Sequence, residues 1–321
     1  MQQIVKSSIK ADLAPVRKGT LLRKLIEQRQ LVVLSVPFMI LVIIFSYVPL
    51  WGWLMAFKDY KPGVYTVLNA PWVGLKNFQE LFSDSYFYLA LRNTLGISSL
   101  KLIFGFVAAI TLAVLLNEIK LKVFKRTVQT ISYLPHFISW VVAANIVFMS
   151  LSPDGGIVNT VLVNLGLVKE SVPFMGMKEY FWLIVALSNV WKDVGWGAII
   201  YLSAMAGIDP CLYESAAIDG AGRLKRIFHV TIPSIAPTIK ILLVLNIGWM
   251  LYSGFEQVYL LGNSSVDEVA RTLEIYVYNY AMKYFRFSYG TAIGIFNSVV
   301  SFILITIANR VSKKVDGEGI F

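Results

Sequence analysis

Reactive side chains are scarce in this chain, with one cysteine and two histidines among 321 residues. The lone Cys211 excludes an intramolecular disulfide. His136 and His229 are far apart in sequence, and with one cysteine they offer neither a metal cluster nor a cysteine–histidine nucleophile. No G-x-x-x-x-G-K-[ST] stretch occurs, so ATP hydrolysis by that route is closed to the chain alone. Charge is thin too: 15% of residues are charged and 57% hydrophobic, too few charges for the surface of a soluble domain.

What the chain does have is long apolar runs. Residues 31–57 are almost free of charge, enough to cross roughly 30 Å of hydrocarbon with some tilt. That length, with no small-residue cleavage site after it, argues against a removed signal peptide. Further spans are expected at 94–117, 128–152, 180–207, 238–261 and 289–309. The fold class is therefore all-α integral membrane, with six transmembrane helices and both termini on one side. Of the 29 Lys and Arg, 18 fall in the segments 1–30, 118–127, 208–240 and 310–321. Basic residues stay inside, so both termini are expected to be cytoplasmic. The net charge of +10 then reflects attraction to anionic lipid headgroups and calls for no nucleic acid.

The organisation is a cytoplasmic basic arm over 1–30, a six-span domain over 31–309 and a cytoplasmic tail over 310–321. Within the arm Leu21, Leu22, Leu25 and Ile26 share a helical face, which suits either a helix in the headgroup layer or a loose tail. After the first span, Lys61-Pro62-Gly63 marks a turn. Leu75, Phe78, Leu81 and Phe82 then recur at helical spacing, predicting an amphipathic outer helix. A second outer loop, 153–178, opens on Pro153-Asp154-Gly155-Gly156, and a third covers 262–288.

Polar side chains inside spans are costly and face protein or water. Asn189, Lys192 and Trp196 fall on one face of the fourth span, flanked by Trp191 and Asp193. Asn246, Trp249, Ser253 and Glu256 fall on one face of the fifth. Aromatic planes beside amides and carboxylates suit a sugar, whose C–H face stacks while its hydroxyls form hydrogen bonds. These eight, without Asp193, are candidates for a substrate path; Tyr252, Asn145 and Trp140 are weaker ones. The alternative is structural, with Lys192–Glu256 and Lys101–Asp193 as ion pairs among packed aromatics.

Between two apolar segments the chain reads YESAAIDGAGRLKRIFHVTIPSIAP from Tyr213 to Pro237. Glu214, Ser215, Ala216 and Gly220, followed after nine residues by Val230-Thr231-Ile232-Pro233, closely resemble the EAA signature of ABC-importer permeases. Asp209-Pro210 opens a helix, Gly220 permits a sharp break, and Pro233 and Pro237 are expected to interrupt a second short helix before the fifth span. The phrases N-F-Q-E-L-F, L-R-N-T, S-Y-L-P, V-W-K-D-V-G-W and Y-G-T-A-I-G extend the resemblance from Asn77 to Asn309 and point to the carbohydrate group of type I permeases.

That resemblance implies a coupling (EAA) loop over 208–238 that docks on an ATPase, using Glu214, Ser215, Ala216, Ala217, Asp219, Gly220 and Pro233. It implies no cofactor in this chain, with ATP and Mg bound by two partner ATPase subunits. A second, related permease and an extracytoplasmic solute-binding protein complete the complex in a bacterial cytoplasmic membrane. The cargo class it implies is oligosaccharides; the basic leader and F-K-D-Y-K-P-G resemble the subgroup that handles acidic, rhamnogalacturonan- or pectin-like fragments. Amino acids or another polar nutrient are the competing cargo. A membrane-embedded enzyme and an assembly scaffold are the competing classes, and copurification of an ATPase separates them from an importer.

Overall fold

The computed structural model describes residues 28–316, so the expected interfacial helix at Leu21–Ile26 lies outside the described residues. The chain divides into two compact units at Trp53/Leu54. Helix α1, Arg29–Phe57, is one of five described helices long and apolar enough to cross a bilayer. The others are α3 (Ser85–Glu118), α7 (Lys178–Ala206), α9 (Arg223–Gly248) and α13 (Phe287–Asp316). A sixth crossing arises if α4 (Lys122–Phe137) and α5 (Trp140–Leu151), bent by 107°, count together. Shorter helices are α2 (Lys76–Ser83), α6 (Ile157–Asn164), α8 (Pro210–Ile218), α10 (Phe255–Leu261), α11 (Asp267–Ala270) and α12 (Leu273–Tyr278).

Helices α3 and α7 run parallel and touch through small residues, as helices must when lipid gives them no hydrophobic drive to associate. A Cβ on Gly96 would meet the Trp182 ring at 2.5 Å, and one on Gly197 would meet the Ala109 Cβ at 3.3 Å. Ala109, Ala113, Val114, Ala198, Tyr201, Met205 and Ile235 form the core at the α8 end of the bundle. At the opposite end Leu81, Phe87, Leu251, Tyr276, Tyr289 and Ile293 form another.

That second end is fastened by polar residues of the recognised phrases. In L-R-N-T, buried Asn93 donates to the carbonyls of Glu268 (2.7 Å) and Arg271 (3.0 Å), and Thr94 accepts from Leu273 N at the start of α12 (2.8 Å). In N-F-Q-E-L-F, Asn77 donates to Ala56 O (2.8 Å), and Glu80 pairs with Arg286. Asp84 caps α3 through Tyr86 N (2.9 Å) and accepts from the Tyr276 (2.5 Å) and Tyr280 (3.2 Å) hydroxyls. The expected amphipathic helix is present as α2, with Leu81 buried.

Two expected spans are corrected. The third is broken, not continuous: α4 ends at Phe137 and Ser139 caps α5, accepting from Val142 N (3.4 Å). Pro135 disfavours continuation, and the His136 carbonyl at the break is met from α7, as described below. The fifth is shifted toward the N-terminus: α9 begins at Arg223 and stops at Gly248, short of the expected 261. Pro233 and Pro237 do not interrupt it. A π turn at Ile227–Thr231 leads directly into Pro233, which stands in the first α-helical turn where no N–H is required. Pro237 is carried inside the helix, as membrane helices tolerate.

Candidate functional site

Two constellations stand out, one at each level of the bundle. The first is the knob at the end of α7. Asp209 accepts from Cys211 N (2.9 Å) and Pro210 opens α8, as that dipeptide favours. Gly220 ends it at φ +72°, a left-handed conformation in which a side chain is strained. Glu214, Ser215, Ala217, Asp219, Gly220 and Pro233 are exposed and Ala216 half-buried. Tyr213 ties the knob to buried Thr231 of α9 through its hydroxyl (3.0 Å). Ile218 is 88% exposed and Leu224 71%, an apolar surface that none of the described residues covers.

The second is a groove between α3, α7 and α9 with a few polar side chains set in apolar walls. Two adjoining cavities of about 210 and 150 Å³ share Lys101, Leu102, Asn189 and Asn246 as walls. Asp193 and Tyr201 line the larger one, Trp249 and Tyr252 the smaller. Asn189 donates to Asp193 (2.6 Å), and Trp249 packs edge-on against Tyr252 with centroids 5.2 Å apart. The structure therefore brings Asn189, Asn246 and Trp249 together.

It does not bring the other candidates there. Lys192 is buried and donates to the His136 carbonyl (2.7 Å) at the break between α4 and α5, with its ammonium 5.4 Å from the Trp140 ring. Trp196 stacks on His136 at 4.6 Å, and His136 Nδ1 lies 2.9 Å from Asp193 Oδ1. A Cβ on Gly195 would meet Ser132 O at 2.1 Å, so the absent side chain lets the broken segment press against α7. S-Y-L-P-H and V-W-K-D-V-G-W are thus two halves of one joint, and Lys192 and Trp196 serve it. Trp191 is exposed and lines neither cavity.

The expected common face of Asn246, Trp249, Ser253 and Glu256 is likewise corrected, because no helix joins them. Helix α9 stops at Gly248, and Gly254 takes φ +90° before α10 begins. Buried Ser253 donates to Glu274 (3.1 Å), which also accepts from Gly254 N (2.9 Å). Glu256 is exposed on α10 and lines neither cavity. The Lys192–Glu256 and Lys101–Asp193 pairs do not form: Lys101 donates to Ser253 O (2.8 Å) and Gln257 Oε1 (2.9 Å). As a groove wall Lys101 went unread in the sequence. A lysine deep in a long apolar helix was the available signal.

Comparison with known proteins bears on both constellations. The profile of the family described as binding-protein-dependent transport system inner membrane component matches residues 101–317, which include the groove and the knob. The chain belongs to this family. It is a multi-pass membrane permease and so a component of a transporter. It is 44% identical over 305 residues to the polygalacturonan/rhamnogalacturonan transport system permease protein YteP of Bacillus subtilis (strain 168), covering 95% of this chain and 94% of that one. Protein LplB of the same organism is 42% identical over 295 residues, 92% of each chain. Among solved structures, a bacterial ABC transporter involved in import of the acidic polysaccharide alginate matches with TM-score 0.83 and 40% identity, over 92% of this permease and 99% of that chain. The same alginate transporter in complex with an alginate pentasaccharide-bound periplasmic protein matches with TM-score 0.84 and 39% identity, covering 94% and 99%.

Proposed function

We propose that this permease is one membrane subunit of an ATP-driven importer of acidic oligosaccharides of the polygalacturonate or alginate type. The observation that carries this reading is near-full-length similarity, at 44% and 40% identity, to proteins of a polygalacturonan/rhamnogalacturonan transport system and of an alginate importer. The groove supports it with chemistry: two amides, two aromatic rings and an ammonium are what a charged sugar needs. The exposed knob of α8 is the coupling surface, where Glu214, Ser215, Ala216, Ala217, Asp219, Gly220 and Pro233 meet one of two ATPase subunits that bind ATP and Mg. A second permease and a solute-binding protein at the α2 end complete the complex, and the basic-residue distribution puts both termini in the cytoplasm of a bacterium. Transport then proceeds by alternating access, with closure of the ATPases rocking the spans through the knob.

Reconstitution of the permease pair with its ATPases and binding protein tests the proposal. Oligogalacturonate or oligoalginate should stimulate ATP hydrolysis, and neutral oligosaccharides or amino acids should not. Stimulation by amino acids alone would overturn the cargo class, and absence of any bound ATPase would overturn the importer reading.

A further inference from the structure

Lys101 enters the groove from α3 as a cation that no carboxylate touches directly among the described residues. None of the described ion pairs includes it. Two carboxylates, Asp193 and Glu274, act on it only through space, their oxygens being bonded to His136 and Asn189 and to Ser253 and Gly254. Two of the three ammonium N–H groups go to uncharged acceptors, Ser253 O and Gln257 Oε1, leaving one donor over. Gln257 is itself spent on Val185 O (2.6 Å) and the Ser188 hydroxyl (2.9 Å), so it holds the lysine from a fixed position. A cation that no carboxylate touches is costly within a span, and such residues face an aqueous cavity or a partner. Lys101 lines both cavities, beside Asn189 and Asn246, with Trp249 and Tyr252 at the smaller one.

We infer that Lys101 is a specificity-determining residue that receives the carboxylate of a uronate unit passing through the groove between α3, α7 and α9. This rests on the acidic-oligosaccharide reading above and deepens it by naming where charge is read. The cargo supplies a carboxylate in direct contact. The amides of Asn189 and Asn246 are placed for hydroxyls, and Trp249 offers a ring face. The cavities, at about 210 and 150 Å³, approach the lower limit of ordinary ligand pockets, about 300 Å³, so one sugar unit at a time is the scale of recognition. Because Lys101 also grips the Ser253 carbonyl where the backbone leaves the helix, occupation by a carboxylate pulls directly on the unwound segment between α9 and α10.

The test uses the complete reconstituted complex in liposomes, comparing uptake of an oligogalacturonate with that of its fully methyl-esterified, uncharged form. The ratio of the two uptakes cancels changes in yield or folding, and the same binding protein serves every variant. Lys101→Gln, which keeps an N–H donor for Ser253 O, should lower the ratio about tenfold, the loss expected for one charge-assisted hydrogen bond. Lys101→Arg should retain most of it. Asn246→Asp, nearly isosteric and exposed, sets a competing carboxylate in the same cavities and should lower the ratio even if Lys101→Gln fails to assemble. An unchanged ratio in Asn246→Asp, or equal loss of both uptakes in an assembled Lys101→Gln complex, overturns the inference and leaves the cargo assignment intact. If the wild-type complex imports neither form, the cargo assignment falls and the inference with it.

Discussion

Single atoms set how closely the spans can approach. At Gly195 the broken segment between α4 and α5 presents its Ser132 carbonyl where a Cβ would stand, at 2.1 Å. Gly195→Ala therefore forces a methyl group against a backbone carbonyl, which no rotamer change relieves. Overpacking of this kind costs about 1–3 kcal/mol, so the variant should unfold at lower temperature in detergent than wild type. Gly294 has nothing within 4 Å of its virtual Cβ, and Gly294→Ala should stay within about 0.5 kcal/mol of wild type. Equal melting of the two variants would mean that the α7 joint is not tightly packed. The same scale explains why Lys192 was legible as important but not as to purpose. A buried cation in a span demands a partner, yet sequence does not say whether the partner is cargo, carboxylate or a bare carbonyl such as His136 O.

At the level of elements, composition exposed the spans because hydropathy measures transfer to lipid, and α1, α3, α7 and α13 are apolar over a bilayer's width. Breaks were harder to see. The run from Trp249 to Ser253 is aromatic and apolar enough to pass for helix, and only the Ser253-Gly254 pair hinted that the backbone turns left-handed there. Conversely, Pro233 and Pro237 suggested an interruption that the π turn at Ile227–Thr231 makes unnecessary. The knob was legible in detail because its signals are local: a capping aspartate, a proline at the first helical position and a glycine at the end. The clasp at the α2 end was not, since Asp84 meets Tyr276 across 192 positions of sequence. Burial, and then the Asp84 acceptor, push the Tyr276 phenol well above its ordinary value. A raised phenol favours the folded state fully below the ordinary tyrosine pKa, about 10, and the contribution is lost as pH rises beyond it. Asp84→Ala should remove a helix cap, about 1 kcal/mol, and leave a buried phenol without its acceptor, about 1–3 kcal/mol more. The melting temperature should fall, and tyrosinate absorbance should rise at lower pH than in wild type. A variant with unchanged melting and alkaline titration would show that the clasp bears no weight.

For the whole molecule, the parallel course of α3 and α7 settles which features share an end. Both run from the α2 clasp toward the knob, so α8 and the loops beside that clasp lie at opposite ends of the bundle. The basic residues then predict the orientation of both, and the chain carries its own probe. Cys211 is the single cysteine, is exposed, and stands on α8 one turn before Glu214. In intact cells a membrane-impermeant thiol reagent should leave it unlabelled, while Asp154→Cys in a Cys211→Ser background should react at the opposite end. Once the membrane is opened, Cys211 should react quickly in the isolated permease and more slowly in the assembled complex, where an ATPase covers α8. Glu214→Lys reverses a charge on that surface and, against a basic partner residue, should weaken docking and restore fast labelling. Labelling of Cys211 from outside intact cells would invert the orientation. Equal rates with and without the ATPase would remove α8 from the docking surface.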